Sequence, residues 1–455
     1  MKLKKFIFAW IVCFVFFRAQ CFTIATLGTG YVGLTTGTVF SEWGHMVFCT
    51  DIDIKKIETL NNLQMPIYEP GLHDLVVKNN RANRLFFTTE IDAALEQADC
   101  IIIAVDTPPG AHGMANMAAF EKAFAMIIPH LKRYKLICIK STVPIGTANK
   151  LLEQLKENGI NPDFYDVVSN PEFLKEGSAI HDCMNPDRII IGATSSRAVA
   201  AMKELYYPLI EQKVPFVITS LASAETIKYA SNAFLAIKLG FINEIANLCS
   251  ETKADILEVA LGIGTDKRIG HAFLKPGPGF GGSCLPKDLQ ALCALAHYYK
   301  VPLNIVMAAL QTNEIQKQKP FEKLYTLLEG MIEGKTIALL GLAFKANTDD
   351  VRYSAAIPLI EALLGKNVCI KAYDPIATSN MKKIFPALDY QNSLYEAVEN
   401  TDAIVIMTEW DEFKEMDLGL VAQLVKNKVI IDMRNILKPG ELQKYSFNYF
   451  LMGRP

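Results

Sequence analysis

Ten cysteines are scattered singly through the 455 residues, at positions such as Cys49, Cys100, Cys138, Cys183 and Cys249. None has the spacing of a metal site or a disulfide framework, which argues against a cysteine-stapled fold and suits a reducing compartment. The seven histidines include no HxxxH or other pair, so no structural metal is expected. Neither sign of charge is in excess: 46 Lys and Arg against 48 Asp and Glu leave a formal net charge of −2. Nucleic acid therefore has no electrostatic claim on the chain. No short repeat and no low-complexity tract interrupts it. What is present in quantity is apolar sequence, enough for real cores in two or three domains.

One apolar run stands apart. Lys2, Lys4 and Lys5 precede the stretch 6–17, and the segment ends at Cys21. A basic start and a short apolar core resemble a secretory signal, and the run is too short for a comfortable membrane span. Yet a nucleotide-binding strand starts at the next residue with no linker, and export would separate such a protein from its cofactor. Residues 1–21 are therefore read as a vestigial or misassigned extension, and the protein is expected in the cytoplasm. Membrane contact follows only if the extension is real.

The run 22–27 suits a buried strand, and Gly28-Thr29-Gly30-Tyr31-Val32-Gly33 follows at once. A helix-like stretch then reaches about Trp43, and a second strand, 46–50, ends in Asp51. This is the GxGxxG fingerprint in its required context. The glycines allow a tight turn and close approach of backbone to a pyrophosphate, which the helix N-terminus stabilises. Asp51 can accept hydrogen bonds from ribose hydroxyls and would repel a 2′-phosphate, which favours NAD over NADP.

Further strands are expected at 85–88, 100–105, 136–141, 166–169, 188–192 and 216–219. Their alternation with helices predicts a parallel sheet covered on both faces. From about Ser223 the texture changes. The stretch 224–252 reads as one long helix, with helical character continuing to 260, and 286–299 and 304–319 read as two more. From Lys335 strands return, at 336–340, 368–373, 403–408 and 429–433, with a helix near 358–364 and Phe344, Lys345 and Arg352 on a loop. The fold class is thus α/β: two Rossmann-like, doubly wound parallel-sheet domains joined by a central all-α segment. The expected divisions are an extension over 1–21, a dinucleotide domain over 22–219, a helical connector over 220–330 and a second α/β domain over 331–455.

The most informative run is Phe280-Gly281-Gly282-Ser283-Cys284-Leu285-Pro286-Lys287-Asp288, a glycine loop feeding a helix with Pro in its first turn. A thiol there feels the positive helix end, and Lys287 adds charge. Both favour thiolate, so Cys284 reads as a nucleophile, against the alternative of an inert core thiol. Asp288 lies one turn on. Lys228 and Asn232 share one face of the long helix, which is also what a solvated polar face looks like. Glu172 and Glu176 follow a strand end at the start of 170–177. Ser141 and Thr142 close another strand at the carboxyl edge, where ligands of open α/β sheets bind.

These segments together resemble the UDP-glucose 6-dehydrogenase family. The matching pieces are GTGYVGL, YEPGL, KSTVPIGT, SNPEFLKEGSAI, NPDRIIIG, IKYASNAFLAIKLGFINEIANLC, FLKPGPGFGGSCLPKD, GLAFKANTDDVR and TEWDEF, in order from Phe22 to about Asn435. The resemblance implies oxidation of the UDP-glucose C6 alcohol to a carboxylate by two NAD and one water. It implies Cys284 as nucleophile, through a thiohemiacetal and a thioester. Lys228 would stabilise the alkoxide and oxyanion, Asp288 and Asn232 would organise a proton-accepting water, and Glu172, Glu176 and Thr142 would serve hydrolysis. For the cofactor it points to Tyr31, Val32, Asp51, Lys56, Thr107, Thr142, Glu176, Lys287 and Arg352. For UDP-glucose it points to Phe173, Leu174, Lys175, Glu176, Lys228, Asn232, Arg268, Phe273, Leu274, Lys275, Pro276, Gly277, Gly281, Phe344 and Lys345. Arg268 would reach a partner subunit's site, because the family pairs through the long helix as homodimers or larger homo-oligomers.

The chain departs from the family at His112 and Asn116, where acids are usual in a loop over the cofactor. It departs again at Leu285, where UDP-glucose enzymes usually carry Phe and GDP-mannose enzymes often Leu. Three alternatives stand beside the main reading: the same chemistry on another nucleotide sugar, a non-catalytic binding protein, and a two-electron dehydrogenase of similar layout, which leaves the Cys284 loop without a purpose. The second predicts loss of Cys284, Lys228 or Asp288, and all three are present.

Overall fold

A computed structural model describes residues 21–455, so the expectations for the extension fall, up to residue 20, outside the described residues. The first sheet contains β1 (Thr23–Leu27), β2 (Met46–Thr50), β3 (Leu85–Thr88), β4 (Cys100–Ile103), β5 (Lys135–Ile139), β6 (Tyr165–Ser169), β7 (Ile189–Gly192) and β8 (Phe216–Thr219). Its strand order is β3-β2-β1-β4-β5-β6-β7-β8. Helices cover both faces, so the strands are apolar on both sides: Ile24 packs into one core, Ala25 and Leu27 into the other. Between β1 and β2 runs α1 (Tyr31–Glu42).

The sheet departs once from the expected all-parallel pattern. β6 meets β7 antiparallel through a single pair, Ser169 opposite Gly192. The chain leaves β6 to form the segment 170–177, and the Asn170 side chain donates instead to the Ile190 carbonyl at 2.8 Å.

The helical middle comprises α2 (Leu221–Thr252), α3 (Ile256–Gly264), α4 (Leu285–Tyr298) and α5 (Asn304–Leu327). α2 starts three residues earlier than expected because Ser220 caps it, accepting from the Ser223 N–H at 3.2 Å. It ends at Lys253, whose φ of +60° breaks the helix. α5 was expected to stop at 319, before Pro320, but it runs to Leu327. Pro320 is buried, and the helix is pinned on both sides of it by buried Lys317 and Leu324, so packing overrides the lost hydrogen bond. One described helix, α2, is long and apolar enough to cross a membrane. It buries Glu225, Lys228, Asn232 and Asn243 and packs against α4 and α5, which makes it a core helix.

The second sheet holds β9 (Thr336–Leu340), β10 (Cys369–Tyr373), β11 (Asp389–Tyr390), β12 (Ala403–Ile406), β13 (Val429–Asp432) and β14 (Asn448–Leu451). The order β11-β10-β9-β12-β13-β14 is the doubly wound 3-2-1-4-5-6, all parallel. Ile242, Ala246 and Cys249 of α2 and Leu324 of α5 pack into the same core as Leu339 and Ile431. The long helix is therefore shared by the middle and the second sheet, and a cleft opens where all three regions meet.

Candidate active site

The cleft has a volume of about 1640 Å³. On the first sheet's side it is lined by Thr29, Gly30, Tyr31, Val32 and Lys56. The backbone is bare there by necessity. A Cβ on Gly28, whose φ is +97°, would sit 2.7 Å from the Ala104 carbonyl oxygen, and one on Gly33 would run into the Gly28 carbonyl. These positions bring the N-terminus of α1 close to the sheet edge, a site for a pyrophosphate. Asp51 accepts from the Thr29 N–H at 2.9 Å, the Thr29 hydroxyl at 2.7 Å and Lys56 at 3.1 Å. Burial pushes its carboxyl up, but these bonds win and hold it below the ordinary range, as an anion. A dinucleotide with a free ribose diol fits this cradle. Thr142 lines the cleft beside it, with its carbonyl fixed by the Thr107 hydroxyl at 2.8 Å.

Cys284 caps the start of α4 and faces the cleft. The expectation of a resting thiolate is not met. Burial pushes the thiol up to about 11, with Lys228 pulling the other way and Glu172 and Asp288 adding to the rise. Lys287 does not help, because its ammonium is held by Asp288 at 2.6 Å. The helix end alone cannot outweigh the desolvation, so the charge that acts on Cys284 is Lys228.

Lys228 is buried and pairs with buried Glu172 at 2.8 Å. Burial works against its charge; Glu172 more than compensates and holds it above the ordinary lysine range. One turn along α2, Asn232 donates to Asp288 at 2.7 Å. The spacing of four on α2 and of four on α4 thus places two linked polar pairs around one thiol.

Glu176 closes the third side. It accepts from Ser283 at 2.9 Å and Thr348 at 3.3 Å, and Arg352 lies 3.7 Å away. Burial, followed by the Asp350 charge, raises it to about 7. Arg352 is clamped by Asp350 at 2.9 and 2.8 Å. Tyr31 reaches from the glycine turn to Asp349 at 2.6 Å, joining the two halves.

Most expected residues meet at this cleft: Phe173, Leu174, Lys175, Phe273, Lys275, Gly277, Gly281, Phe344 and Lys345 also line it. A Cβ on Gly281 would run into the Tyr353 carbonyl, so glycine is required. Three of the expected substrate residues do not join it. Leu274 is buried in the core shared with the second sheet, and Pro276 lies outside the lining. Arg268 is 89% exposed and bound to Asp266, away from this chain's cleft. His112 and Asn116 stand off the lining too. Their loop packs on α4 through Gly113, and Asn116 caps Ala118. Leu285 does line it.

The sequence reading passed over three contributors. Arg434 lines the cleft and bonds the Met407 and Phe344 carbonyls at 2.8 and 2.9 Å, with Glu409 at 3.1 Å. Its signal was available: a charged residue two positions beyond a strand end at the carboxyl edge. Arg188 stacks on Phe173 at 3.7 Å. Glu69 binds the Gly177 and Ala179 N–H groups, each at 2.7 Å, and so fixes the end of segment 170–177.

Residues 22–210 match the NAD binding domain of the UDP-glucose/GDP-mannose dehydrogenase family, 222–315 its central domain and 338–439 its UDP binding domain. The chain belongs to this family. A UDP-glucose 6-dehydrogenase of Bacillus subtilis is 48% identical over 95% of this chain and 93% of its own. One from Rickettsia typhi is 43% identical over 94% and 99%. Among solved structures, a UDP-glucose dehydrogenase from Pyrobaculum islandicum matches with a TM-score of 0.88 at 31% identity, covering 96% of this chain and 99% of that one. A UDP-D-ManNAc dehydrogenase from Pyrococcus horikoshii matches with 0.82 at 28%, covering 95% and 99%. In family terms, the cradle at Gly28 to Val32 lies in the NAD binding domain. Phe344, Lys345, Arg352 and Arg434 lie in the UDP binding domain, and Cys284 lies in the central domain between them.

Proposed function

We propose that the protein oxidises the C6 alcohol of UDP-glucose to the carboxylate of UDP-glucuronate, consuming two NAD and one water. The observation that carries this reading is that Cys284, Lys228, Asn232 and Glu176 line one cleft between the two α/β halves, with Asn232 bonded to buried Asp288 behind it. NAD, when bound, supplies the acceptor for the hydride lost in each oxidation. The protein's own groups do the rest. A water held by Asn232 and Asp288 takes the alcohol proton, and Lys228 stabilises the oxygen as it becomes alkoxide. Once that water has passed the first proton to solvent, the Cys284 sulfur adds to the aldehyde carbon, the thiol proton leaves to the water, and the oxyanion formed is held by Lys228. The resulting thiohemiacetal can lose a hydride, which the bare aldehyde cannot, and becomes a thioester. Glu176 takes a proton from the water that attacks the thioester, Thr142 and Glu172 place that water, and the departing sulfur receives that proton back from Glu176.

Segments 173–176 and 273–277 enclose sugar and base in this reading, and Phe344 and Lys345 hold the nucleotide and its phosphates. Burial lowers the Lys345 ammonium, with Glu176 and Glu409 countering, and a phosphate beside it would favour its charged form. One observation favours a second substrate: Leu285 lines the wall beside the thiol. The test is to supply UDP-glucose, UDP-galactose, UDP-N-acetylmannosamine and GDP-mannose separately and count NADH per sugar. Two NADH per UDP-glucose, with the highest kcat/KM of the four, is expected. One NADH with release of aldehyde, or a better rival sugar, defeats the assignment.

The working form is proposed to be a homodimer paired through α2. Phe234, Phe241 and Leu248 recur every seven residues on α2 and are exposed by half or more, an unpartnered apolar stripe. Pairing there lets Arg268 enter the partner's cleft. Sedimentation at micromolar concentration tests it. With free thiols and an NAD requirement, the cytoplasm is the proposed location.

A further inference from the structure

We propose that the protein carries a second ligand site, a crevice along α1 that takes a small carboxylate with an apolar body. The cleft does not stop at the glycine turn. Its lining continues down one face of α1 through Thr36, Val39, Phe40 and Trp43, at the spacing of a helix side. Cys183, Ile189, Tyr206, Lys140 and Asn170 also line it, with the Tyr206 ring packed edge-on against Phe40 and Trp43 at centroid distances of 5.2 and 5.9 Å.

Lys140 supplies the charge. Four lysines are buried among the described residues: Lys135, Lys140, Lys228 and Lys317. Lys228 pairs with Glu172 and Lys317 with Glu314. Lys135 bonds the Leu95, Glu96 and Ala98 carbonyls, at the negative end of the helix Ile91–Gln97. Lys140 likewise has only neutral partners, the Asn170 side-chain oxygen at 3.1 Å, the Tyr206 hydroxyl at 3.1 Å and the Asn170 carbonyl at 3.4 Å, and of these two lysines it is the one that lines the cavity. A buried ammonium without a counter-charge is expensive, and an incoming anion removes the expense.

Thr36 supplies direction. Its hydroxyl is buried without a hydrogen-bond partner, and of the unpartnered buried threonines on α1 it is the one that lines the cavity. One ammonium and one hydroxyl suit the two oxygens of a carboxylate, and the rings of Phe40, Trp43 and Tyr206 suit an apolar body. A phosphate dianion would find too few donors. An occupant lies against Asn170, the first residue of the segment that carries Glu172 and Glu176, so the site is placed to act as an effector site.

The test uses full-length protein and phenylacetate, followed by saturation-transfer NMR, with and without saturating NAD and UDP. Binding in the millimolar range or tighter is expected, unchanged by NAD and UDP, and inorganic phosphate is expected not to compete. Lys140→Met should weaken binding about tenfold or more. Thr36→Val should weaken it severalfold without lowering Tm, because it removes an unsatisfied group. Should Lys140→Met fail to fold, Thr36→Val decides alone. No binding at ~1 mM, loss of binding on adding NAD and UDP, displacement by phosphate, or equal affinity in the folded variants each overturns the proposal.

Discussion

The two α/β halves are built on the same turn and use it for different ends. Each first strand ends in a glycine of nearly identical backbone, Gly28 at φ +97° and Gly341 at φ +96°. Each second strand is followed by an aspartate that accepts the N–H beyond that glycine: Asp51 from Thr29 at 2.9 Å, Asp374 from Leu342 at 2.8 Å. There the likeness stops. Asp51 keeps 11% of its side chain exposed and neighbours a cleft residue, Lys56. Asp374 is filled by the protein itself, taking also the N–H groups of Ala343, Ile376 and Ala377 and the Trp410 indole. The helix that follows differs too. α1 begins three residues after Gly28, whereas the next helix in the second half, Ala356–Leu364, begins fifteen after Gly341. The intervening loop is what carries Phe344, Lys345 and Arg352 to the cleft. The same device serves as a ligand cradle where it is left open and as a structural lock where a Trp closes it.

The largest effect should come from the residue that belongs to neither half. Cys284→Ser is close to isosteric, so the fold and NAD binding should survive while turnover falls by roughly 10³-fold or more. Stopped-flow counting of NADH checks it. Activity within tenfold of the parent would remove the covalent step and with it the need for two halves around one thiol.

The aspartate pair comes next, and it tests the comparison directly. Asp374→Ala strands five donors, four of them backbone N–H groups, and should lower stability by about 3 kcal/mol or more in urea unfolding. Asp51→Ala should leave stability within about 1 kcal/mol but raise the KM for NAD about tenfold, narrowing the preference over NADP. Equal kcat/KM for NAD and NADP in the unmodified protein would contradict the ribose role of Asp51. A stable Asp374→Ala would contradict the lock.

What could be read from the sequence follows from range. The Gly28 turn, α1 and Asp51 lie within thirty residues, and strand and helix periods there are strong, so the dinucleotide half was legible nearly to the residue. So was the Lys228–Asn232 face, and α4 with Asp288 one turn after Cys284. The resting state of Cys284 was not legible. Local charge and a helix end argued for thiolate, whereas the outcome depends on burial and on Lys228, 56 residues away. Arg434 was missed although its place two residues beyond a strand end marks it; what fixes its role lies far off, in Met407 and Phe344, 27 and 90 residues distant. The run of α5 through Pro320 shows the same thing: packing from both sides overrode a local stop signal.

The smallest expected effect is a shift in pH dependence, and it probes how the second half tunes a group carried by the first. Glu176 follows β6, while Asp350 and Arg352 belong to the loop after β9. Burial, then the Asp350 charge, raises Glu176 from 4.5 to about 7. A carboxyl raised in this way binds its proton more tightly folded than unfolded. It therefore works against the fold as pH climbs from about 4.5 through 7, and that loss is absent below 4.5. As the base for thioester hydrolysis, Glu176 must be ionised, so the rate should climb with pH through about 7. Asp350→Asn removes the repelling charge and loosens the clamp on Arg352, which already lies 3.7 Å from Glu176. Both changes lower Glu176, so the acidic limb should move down by about one pH unit, with the rate above pH 8 nearly unchanged. Glu176→Gln should abolish the limb together with most of the hydrolysis. Single-turnover release of product between about pH 5 and 8 measures all three. A limb that stays in place in Asp350→Asn, or that survives in Glu176→Gln, would mean that the hydrolytic base is another group and that the second half contributes binding alone.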